Sequence, residues 1–270
     1  MKRFQLLLVC CILIGKISAQ SIEWQLVSSI SPGVIDLLAT DRNSHVFVAD
    51  KEGNIRQYNS AGDSVNVYSP PFRSKLTNLE TQWTVNLFLF SADLQQFELL
   101  DRFLRPITTA SIRDHDLGVI RQATLGNGNT IWMVDETRLS LVKWDYRRQI
   151  ILQEQPFSLI LDNDLHSILN IAERKNLLFL HSQGKGVLIF DNQANLITRL
   201  QDIPDTELYF TDDFVYYFDQ QKAYRTAYTT KQTESFDLPN TTYQKMAVSP
   251  TRIFFSTGSR VDIFKKPSTW

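Results

Sequence analysis

Residues His45–Asp63 read HVFVADKEGNIRQYNSAGD, and this stretch decides the fold. The two runs that read as short strands are HVFVA and NIRQY, and the first is apolar on successive residues, which suits a strand buried on both faces. Between them lies Glu52-Gly53-Asn54, where glycine accepts the positive φ that a tight turn needs. The stretch therefore predicts a β-hairpin. Variants of the same pattern return five more times along the chain, so the hairpin is the unit of a repeat.

An aromatic residue in the first strand of each hairpin marks the repeat. Successive anchors are 37 to 47 residues apart, with a mean of about 41, and a period in the low forties is typical of a four-stranded propeller blade. A bulky apolar residue follows each anchor, which suits a strand covered on both faces. A small polar residue that favours turns comes three positions after the anchor. The six anchors are Phe47, Phe88, Trp132, Phe179, Tyr216 and Phe254.

The repeat predicts an all-β, six-bladed β-propeller with four-stranded antiparallel blades. The chain ends at Trp270, soon after the sixth hairpin, so the last blade lacks an outer strand. We expect Ile22–Ile30 to supply that strand and close the ring, since closure leaves only short, protected strand edges. A β-sandwich is the alternative, because its strands also alternate with frequent turns. A sandwich has no reason to keep one period over six copies.

The N-terminus predicts an export signal. Lys2 and Arg3 precede the apolar run Phe4–Gly15, which is shorter than the about 20 residues needed to span a bilayer. The small residue Ala19 suits cleavage before Gln20. We therefore expect a signal peptide over residues 1–19 and one propeller domain over residues 20–270.

Cleavage would change the composition of the mature chain. It would remove both cysteines, Cys10 and Cys11, and would leave 25 basic and 29 acidic residues, a net charge of −4. The basic residues are scattered, so nucleic acid and anionic lipid are not indicated as partners. A lipoprotein anchored through one of the cysteines and an uncleaved signal anchor are the alternatives.

Two loops carry acids beside histidine. Ser111–Gly118 enters blade three and Asp162–His166 enters blade four, so both are expected near the central channel. Carboxylates and imidazoles can hold a metal or exchange protons. The same residue types are also favoured in solvated turns, and neither loop has a zinc or calcium-loop spacing. The candidate channel-mouth cluster is Asp114, His115, Asp116, Asp164 and His166.

No complete catalytic motif is present in the sequence. It has no serine in a nucleophile elbow, no phosphate loop and no sialidase box. The calcium lactonase type of propeller uses Glu, Asn and Asp on its innermost strands, and Glu80, Asn170 and Asp36 are of the right kinds. Blade five is crowded with aromatics, most of which we expect in the core. Any of these aromatics that are exposed would form a surface for binding a protein or glycan partner.

The stretch Phe47–Asp63 resembles the blade motif of NHL and TolB-like six-bladed propellers, in which a strand ending in Asp leads to Gly-x-Ile and then to an aromatic. The resemblance covers Ile22–Trp270 as architecture and does not specify function, because this fold hosts binding proteins, hydrolases and scaffolds. The N-terminal segment ending in Ser18-Ala19-Gln20 is similar to signal peptides of the Bacteroidetes, where such propellers are secreted or periplasmic and some serve outer-membrane machinery.

Together these features favour a periplasmic or secreted binding or scaffold module over an enzyme. The expected partner is another protein, in an outer-membrane or secretion assembly, and no cofactor is expected. The chain is not expected to be an integral membrane protein. The alternative is a metal-dependent hydrolase or lactonase with a divalent cation at the central channel.

Overall fold

A computed structural model describes residues 23–82, 86–113, 115–161, 168–268 and 270. Within them, 24 strands form six antiparallel sheets of four strands each. The innermost strands of neighbouring sheets contact one another around a common axis, so the sheets are the blades of a propeller. The predicted all-β, six-bladed fold is confirmed. The predicted signal peptide lies outside the described residues.

In blades one to five, the chain runs from the innermost strand to the outermost strand. Blade one contains β2 (Leu37–Thr40), β3 (Val46–Ala49), β4 (Ile55–Tyr58) and β5 (Ser64–Tyr68). Blade two contains β6 (Asn78–Glu80), β7 (Asn86–Ser91), β8 (Gln96–Asp101) and β9 (Pro106–Ser111). Blade three contains β10 (Ile120–Leu125), β11 (Thr130–Asp135), β12 (Ser140–Asp145) and β13 (Ile150–Pro156).

The second half of the ring repeats the pattern. Blade four contains β14 (Ile168–Arg174), β15 (Leu177–Ser182), β16 (Gly186–Phe190) and β17 (Leu196–Leu200). Blade five contains β18 (Tyr209–Phe210), β19 (Phe214–Phe218), β20 (Lys222–Ala227) and β21 (Thr233–Asp237). Blade six contains β22 (Lys245–Val248), β23 (Arg252–Ser256), β24 (Val261–Lys265) and, as its outer strand, β1 (Leu26–Ile30).

The two ends of the chain meet in blade six. Strand β1 pairs antiparallel with β24, which confirms that an N-terminal strand completes the last blade. Trp24 precedes β1, and its indole N–H donates to the Asp237 carbonyl of blade five (2.8 Å). Its ring packs edge-on, with centroids 5.5 to 5.7 Å apart, against Phe255, Phe264 and Trp270. This cluster joins the last two blades through a residue from the start of the chain.

Every predicted anchor lies on the second strand of its blade and is at most 1% exposed. The second strands are covered on both faces by adjacent sheets, as the consecutive apolar residues predict. Removing one such aromatic side chain from water contributes about 1.5–3 kcal/mol. The anchors recur at regular intervals because each blade contributes one of them to the core between blades.

Aspartates shape the hairpin turns. The Asp50 carboxylate accepts the backbone N–H groups of Glu52 and Asn54 (2.9 and 3.0 Å), and Gly53 takes the expected positive φ of +82°. Asp135 and Asp219 do the same at the corresponding position of blades three and five. In blades one to four, an asparagine or aspartate side chain accepts backbone N–H groups in the same way at the end of the third strand. These residues are Asn59, Asp101, Asp145 and Asp191.

Blade five has the shortest inner strand, and aromatic packing compensates for it. The prediction that most of its aromatics belong to the core is confirmed, because all eight are buried or half-buried and none forms an exposed aromatic face. They are Tyr209, Phe210, Phe214, Tyr216, Tyr217, Phe218, Tyr224 and Tyr228.

Helix is nearly absent from the described part of the chain, where it is confined to the 3-10 turn Phe157–Leu159. None of the described residues form a helix with the length and apolar character needed to cross a membrane.

Candidate functional site

The central channel of the ring is a polar cavity of about 550 Å³. Residues of the inner strands and of the segments that lead into them form its wall. Inner strands of a propeller run in the same direction along the axis, so residues that precede them gather at one end. That end is the channel mouth.

Ion pairs between neighbouring blades surround the mouth. Lys75, before β6, lies 3.4 Å from the Asp36 carboxylate, before β2. Lys245, at the start of β22, lies 2.6 Å from the Glu207 carboxylate, before β18. Exposed pairs of this kind contribute about 0–1 kcal/mol each, so their main effect is to balance charge at the entrance.

Tyr209 crosses the channel toward its far end. Its hydroxyl donates to the Thr40 carbonyl at the end of β2 (3.4 Å) and accepts the Gln82 side-chain N–H (2.5 Å). Burial raises the pKa of Tyr209 to about 12, so the phenol stays protonated and keeps its donor. One side chain of blade five thus connects blades one and two and narrows the channel away from its mouth.

His181 belongs to the channel wall and is fully buried on β15. Burial lowers its pKa, and the nearby Asp205 carboxylate opposes that shift only in part. The neutral imidazole is therefore favoured at neutral pH. This agrees with the sequence pattern, which indicates a packed histidine at the end of an apolar strand.

Carboxylates along the wall are engaged by protein donors. Glu80 accepts the Thr124 hydroxyl (2.5 Å) and the Asn78 amide (2.9 Å), which ties blade two to blade three. Asp36, Glu80 and Asn170 all line the same cavity. Among the described residues, however, no group of three or more His, Cys, Asp or Glu side chains is placed to hold a metal ion.

Two members of the predicted channel-mouth cluster lie away from the cavity wall. His115 packs on the Trp144 ring with centroids 5.0 Å apart. The Asp116 carboxylate is 97% exposed and pairs with Arg138 (2.8 Å), which also contacts Glu154 on outer strand β13. Asp114, Asp164 and His166 lie outside the described residues, so their convergence with this pair stays a prediction.

The outer strands carry the exposed apolar residues of the ring. In blades six, one, two, three and four, each outer strand presents one or two aliphatic side chains that are 40 to 61% exposed. We refer to these residues as the rim arc: Leu26, Val27, Val65, Val67, Ile107, Ile150, Leu152, Leu196 and Ile197.

Polar contacts join the rim arc from blade to blade. Ser28 donates to the Ala61 carbonyl (2.6 Å) between blades six and one. Gln153, on outer strand β13, donates its side-chain amide to the Gln193 carbonyl between blades three and four. Outer strands are the unpaired edges of the sheets, so the rim arc combines exposed apolar surface with open backbone groups.

Sequence reasoning searched the channel loops and missed both the mouth pairs and the rim arc. The mouth pairs could have been found by comparing the residues just before each inner strand. The rim residues belong to the fourth run of each repeat, where alternating aliphatics such as Val65 and Val67 signal a strand but not its exposure.

No protein-family model matches the sequence, and none of the curated proteins compared matches it. Solved structures are similar to it in fold. The Cps50 (Swd1) β-propeller domain of Myceliophteria thermophila has a TM-score of 0.63 at 10% identity, covering 91% of this chain and 100% of that one. Streptogramin B lyase has a TM-score of 0.55 at 14% identity, covering 91% and 87%.

A third similar structure is PorZ of Porphyromonas gingivalis, described as an essential bacterial surface component of the type-IX secretion system. Its TM-score is 0.56 at 13% identity, and the match covers 87% of this chain but 33% of PorZ. The chain therefore spans about a third of that protein. Identities of 10 to 14% across proteins of such different kinds show the propeller fold alone.

Proposed function

We propose that this propeller is an exported binding module that engages a protein partner through the rim arc. The observation that carries the proposal is the run of exposed aliphatic side chains on the outer strands of five blades. Exposed apolar patches are typical of sites that bind other proteins. Outer strands also offer unpaired N–H and C=O groups to an added strand.

The place of action that we propose is the periplasm or the cell exterior. The charged and apolar pattern of residues 1–19 supports export, and the fold similarity to a bacterial surface component supports a role in an envelope or secretion assembly. A protein partner in the outer membrane would fit both. Export can be tested separately, by comparing the N-terminal residue of the purified mature protein with the expected Gln20.

The test of rim binding uses a variant in which four rim residues become polar without loss of strand propensity. The rim variant carries Ile150→Thr, Leu152→Thr, Leu196→Thr and Ile197→Thr. Threonine is favoured in strands and removes apolar surface at each position. The matched control carries Thr109→Ser and Ser235→Thr, two exposed polar positions on the outer strands of blades two and five.

Each protein is immobilised and exposed to envelope extract of the source cells, and bound proteins are quantified by mass spectrometry. We expect the wild type and the control to recover the same partner, and the rim variant to recover at least tenfold less. Equal recovery by the rim variant would refute binding through the rim arc.

A second candidate function is supported by the channel itself. Asp36, Glu80 and Asn170 line one cavity and are oxygen ligands of the kinds that calcium takes, although Glu80 would first have to give up its hydrogen bonds to Thr124 and Asn78. Under this alternative the protein is a metal-dependent hydrolase or lactonase. Calorimetric titration with Ca²⁺ tests it: saturable binding lost in Glu80→Gln supports the candidate, and no heat of binding at millimolar Ca²⁺ refutes it.

A further inference from the structure

A second cavity lies at the end of the ring opposite the channel mouth. Its volume is about 410 Å³, and loops that follow the inner strands of blades one, two, five and six line it. These loops contribute Asp41, Gln82, Thr211 and Ser249 among others. We call this cavity the basic pocket after the three cations in its wall, which lie there beside three aspartates. The cations are Arg42, Arg225 and Lys266.

Aromatic rings form the apolar part of the wall. Tyr216 stacks on Trp270 with centroids 5.6 Å apart, and Phe214 lies 6.0 Å from Tyr216. Trp270 is only 9% exposed, and within the described part of the chain its indole N–H has no hydrogen-bond partner. The indole nitrogen is itself covered by protein, so Trp270 contributes the face of its ring to the wall and not a donor.

Arg225 is fixed in the wall. Its guanidinium donates two hydrogen bonds to the Glu234 carboxylate (2.8 and 2.5 Å) and lies 4.9 Å from the centre of the Phe214 ring. Its side chain is only 11% exposed. The Arg225 charge is thus balanced by protein groups, and the guanidinium is a rigid part of the pocket.

Lys266, unlike Arg225, has no carboxylate partner among the described residues. It is half-buried, and among the described residues it forms no ion pair. Burial lowers its pKa, and the neighbouring positive charge of Arg225 lowers it further. Lys245 makes the contrast clear, because that ammonium lies 2.6 Å from Glu207.

The three acidic residues that line the pocket already have partners within the protein, and the partner of one of them, Arg42, lies in the same wall. Asp212 lies 3.7 Å from Arg42, and Asp213 lies 2.8 Å from Lys175. Asp41 accepts the backbone N–H of His45 (2.8 Å) and contacts its ring. Their presence would still repel a ligand with two negative charges, so the pocket fits a single charge better than a phosphate dianion.

We propose that the basic pocket binds the carboxylate group of a ligand with an apolar or aromatic body. The Lys266 ammonium would donate to the carboxylate, and the rings of Phe214, Tyr216 and Trp270 would cover the body. Charge-assisted hydrogen bonds in a partly buried site are the strong ones. A cavity of about 410 Å³ has the size of a small-ligand site.

Such a carboxylate can come from a free organic acid or from the C-terminus of a protein. N-Acetylphenylalanine represents the first source, and a hexapeptide that ends in phenylalanine with a free C-terminus represents the second. The amide of each probe is the uncharged comparison. Tenfold tighter binding of the peptide acid than of N-acetylphenylalanine would identify a protein terminus, and the reverse order would identify a small acid.

The experiment is calorimetric titration of the intact protein with each acid and its amide. We expect at least one acid to bind at least tenfold more tightly than its amide. Lys266→Met should weaken that acid at least tenfold, to the level of the amide, and Trp270→Phe should weaken it severalfold. Lys245→Met is the matched control, since Lys245 lies at the other end of the ring, and it should leave binding unchanged.

Two results would overturn the proposal. The first concerns the wild-type protein alone: neither acid binds, or each acid binds no more tightly than its amide. The other is that a folded Lys266→Met protein binds the acid as tightly as the wild type. Because the probes do not depend on the rim arc, the outcome is independent of the proposed protein partner.

Discussion

Blades four and five build the same sheet but differ at its edges. Both bury an anchor on the second strand, Phe179 in one and Tyr216 in the other. The outer strand of blade four exposes Leu196 and Ile197, whereas β21 of blade five, with the sequence TESFD, has no exposed aliphatic residue. Blade five shows that the fold does not need apolar residues at the rim. The aliphatics of the other five blades therefore call for another explanation, and binding supplies one.

The largest effect is expected at the core that the two blades share. Phe179 packs against Phe210 and Tyr228 of blade five, with centroids 5.4 and 4.4 Å apart. Phe179→Ala should lower the free energy of unfolding by about 3–5 kcal/mol, since it leaves a cavity between blades. Denaturant titration measures this. A loss below about 1 kcal/mol would mean that the anchors are not the core of the ring.

Ring closure should come next in size. Trp24→Ala removes three ring contacts and one hydrogen bond between blade six and blade five, and it should cost about 2 kcal/mol, since the residue is half-buried. Trp24→Phe keeps the apolar contacts and should cost less. If both variants unfold as the wild type does, the N-terminal strand does not hold the ring together.

Blades four and five also differ in a titratable residue. Two positions after the anchor, blade four has buried His181 and blade five has Phe218. Burial lowers the pKa of His181, so the unfolded chain takes up the proton first as pH falls below about 6.5. Stability should then drop by up to about 1.4 kcal/mol per pH unit, and His181→Gln should flatten that slope.

The matched control for this pH effect is His115→Gln, at the half-buried histidine beside Trp144. It tests whether replacing a histidine by glutamine, in itself, changes the slope. The same slope in His181→Gln as in the wild type would contradict the assignment.

The smallest change in stability is expected at the rim. Leu196→Thr and Ile197→Thr should each change the free energy of unfolding by no more than about 0.5 kcal/mol, as surface substitutions do. Denaturant titration of the single variants measures it. A cost of 2 kcal/mol or more would mean that the rim aliphatics serve the fold and that the contrast with blade five has no functional meaning.

The sequence predicted the inner part of each blade well because burial dictates residue type there. Fully covered strands must be apolar, so the anchors repeat visibly from Phe47 to Phe254. Closure by the N-terminal strand followed from the missing outer strand of blade six. Blade five departs most from this pattern, since its inner strand has only two residues.

Function was much harder to predict from the sequence. Asp116 was expected at the channel mouth, yet its carboxylate pairs with Arg138, which also contacts the outer strand of blade three. A loop can enter a blade near the axis while its side chains turn outward, and no periodicity records that direction. The basic pocket joins loops of four blades, and Lys266 and Arg225 are 41 residues apart in sequence but lie in one wall.

The central claim is that the rim arc binds a protein partner. The most direct test is the dissociation constant of the recovered partner for the wild type, the rim variant and the T109S/S235T control, measured on proteins with equal unfolding free energies. The account predicts at least a tenfold weaker complex for the rim variant and no change for the control. A folded rim variant that binds as tightly as the wild type would contradict it.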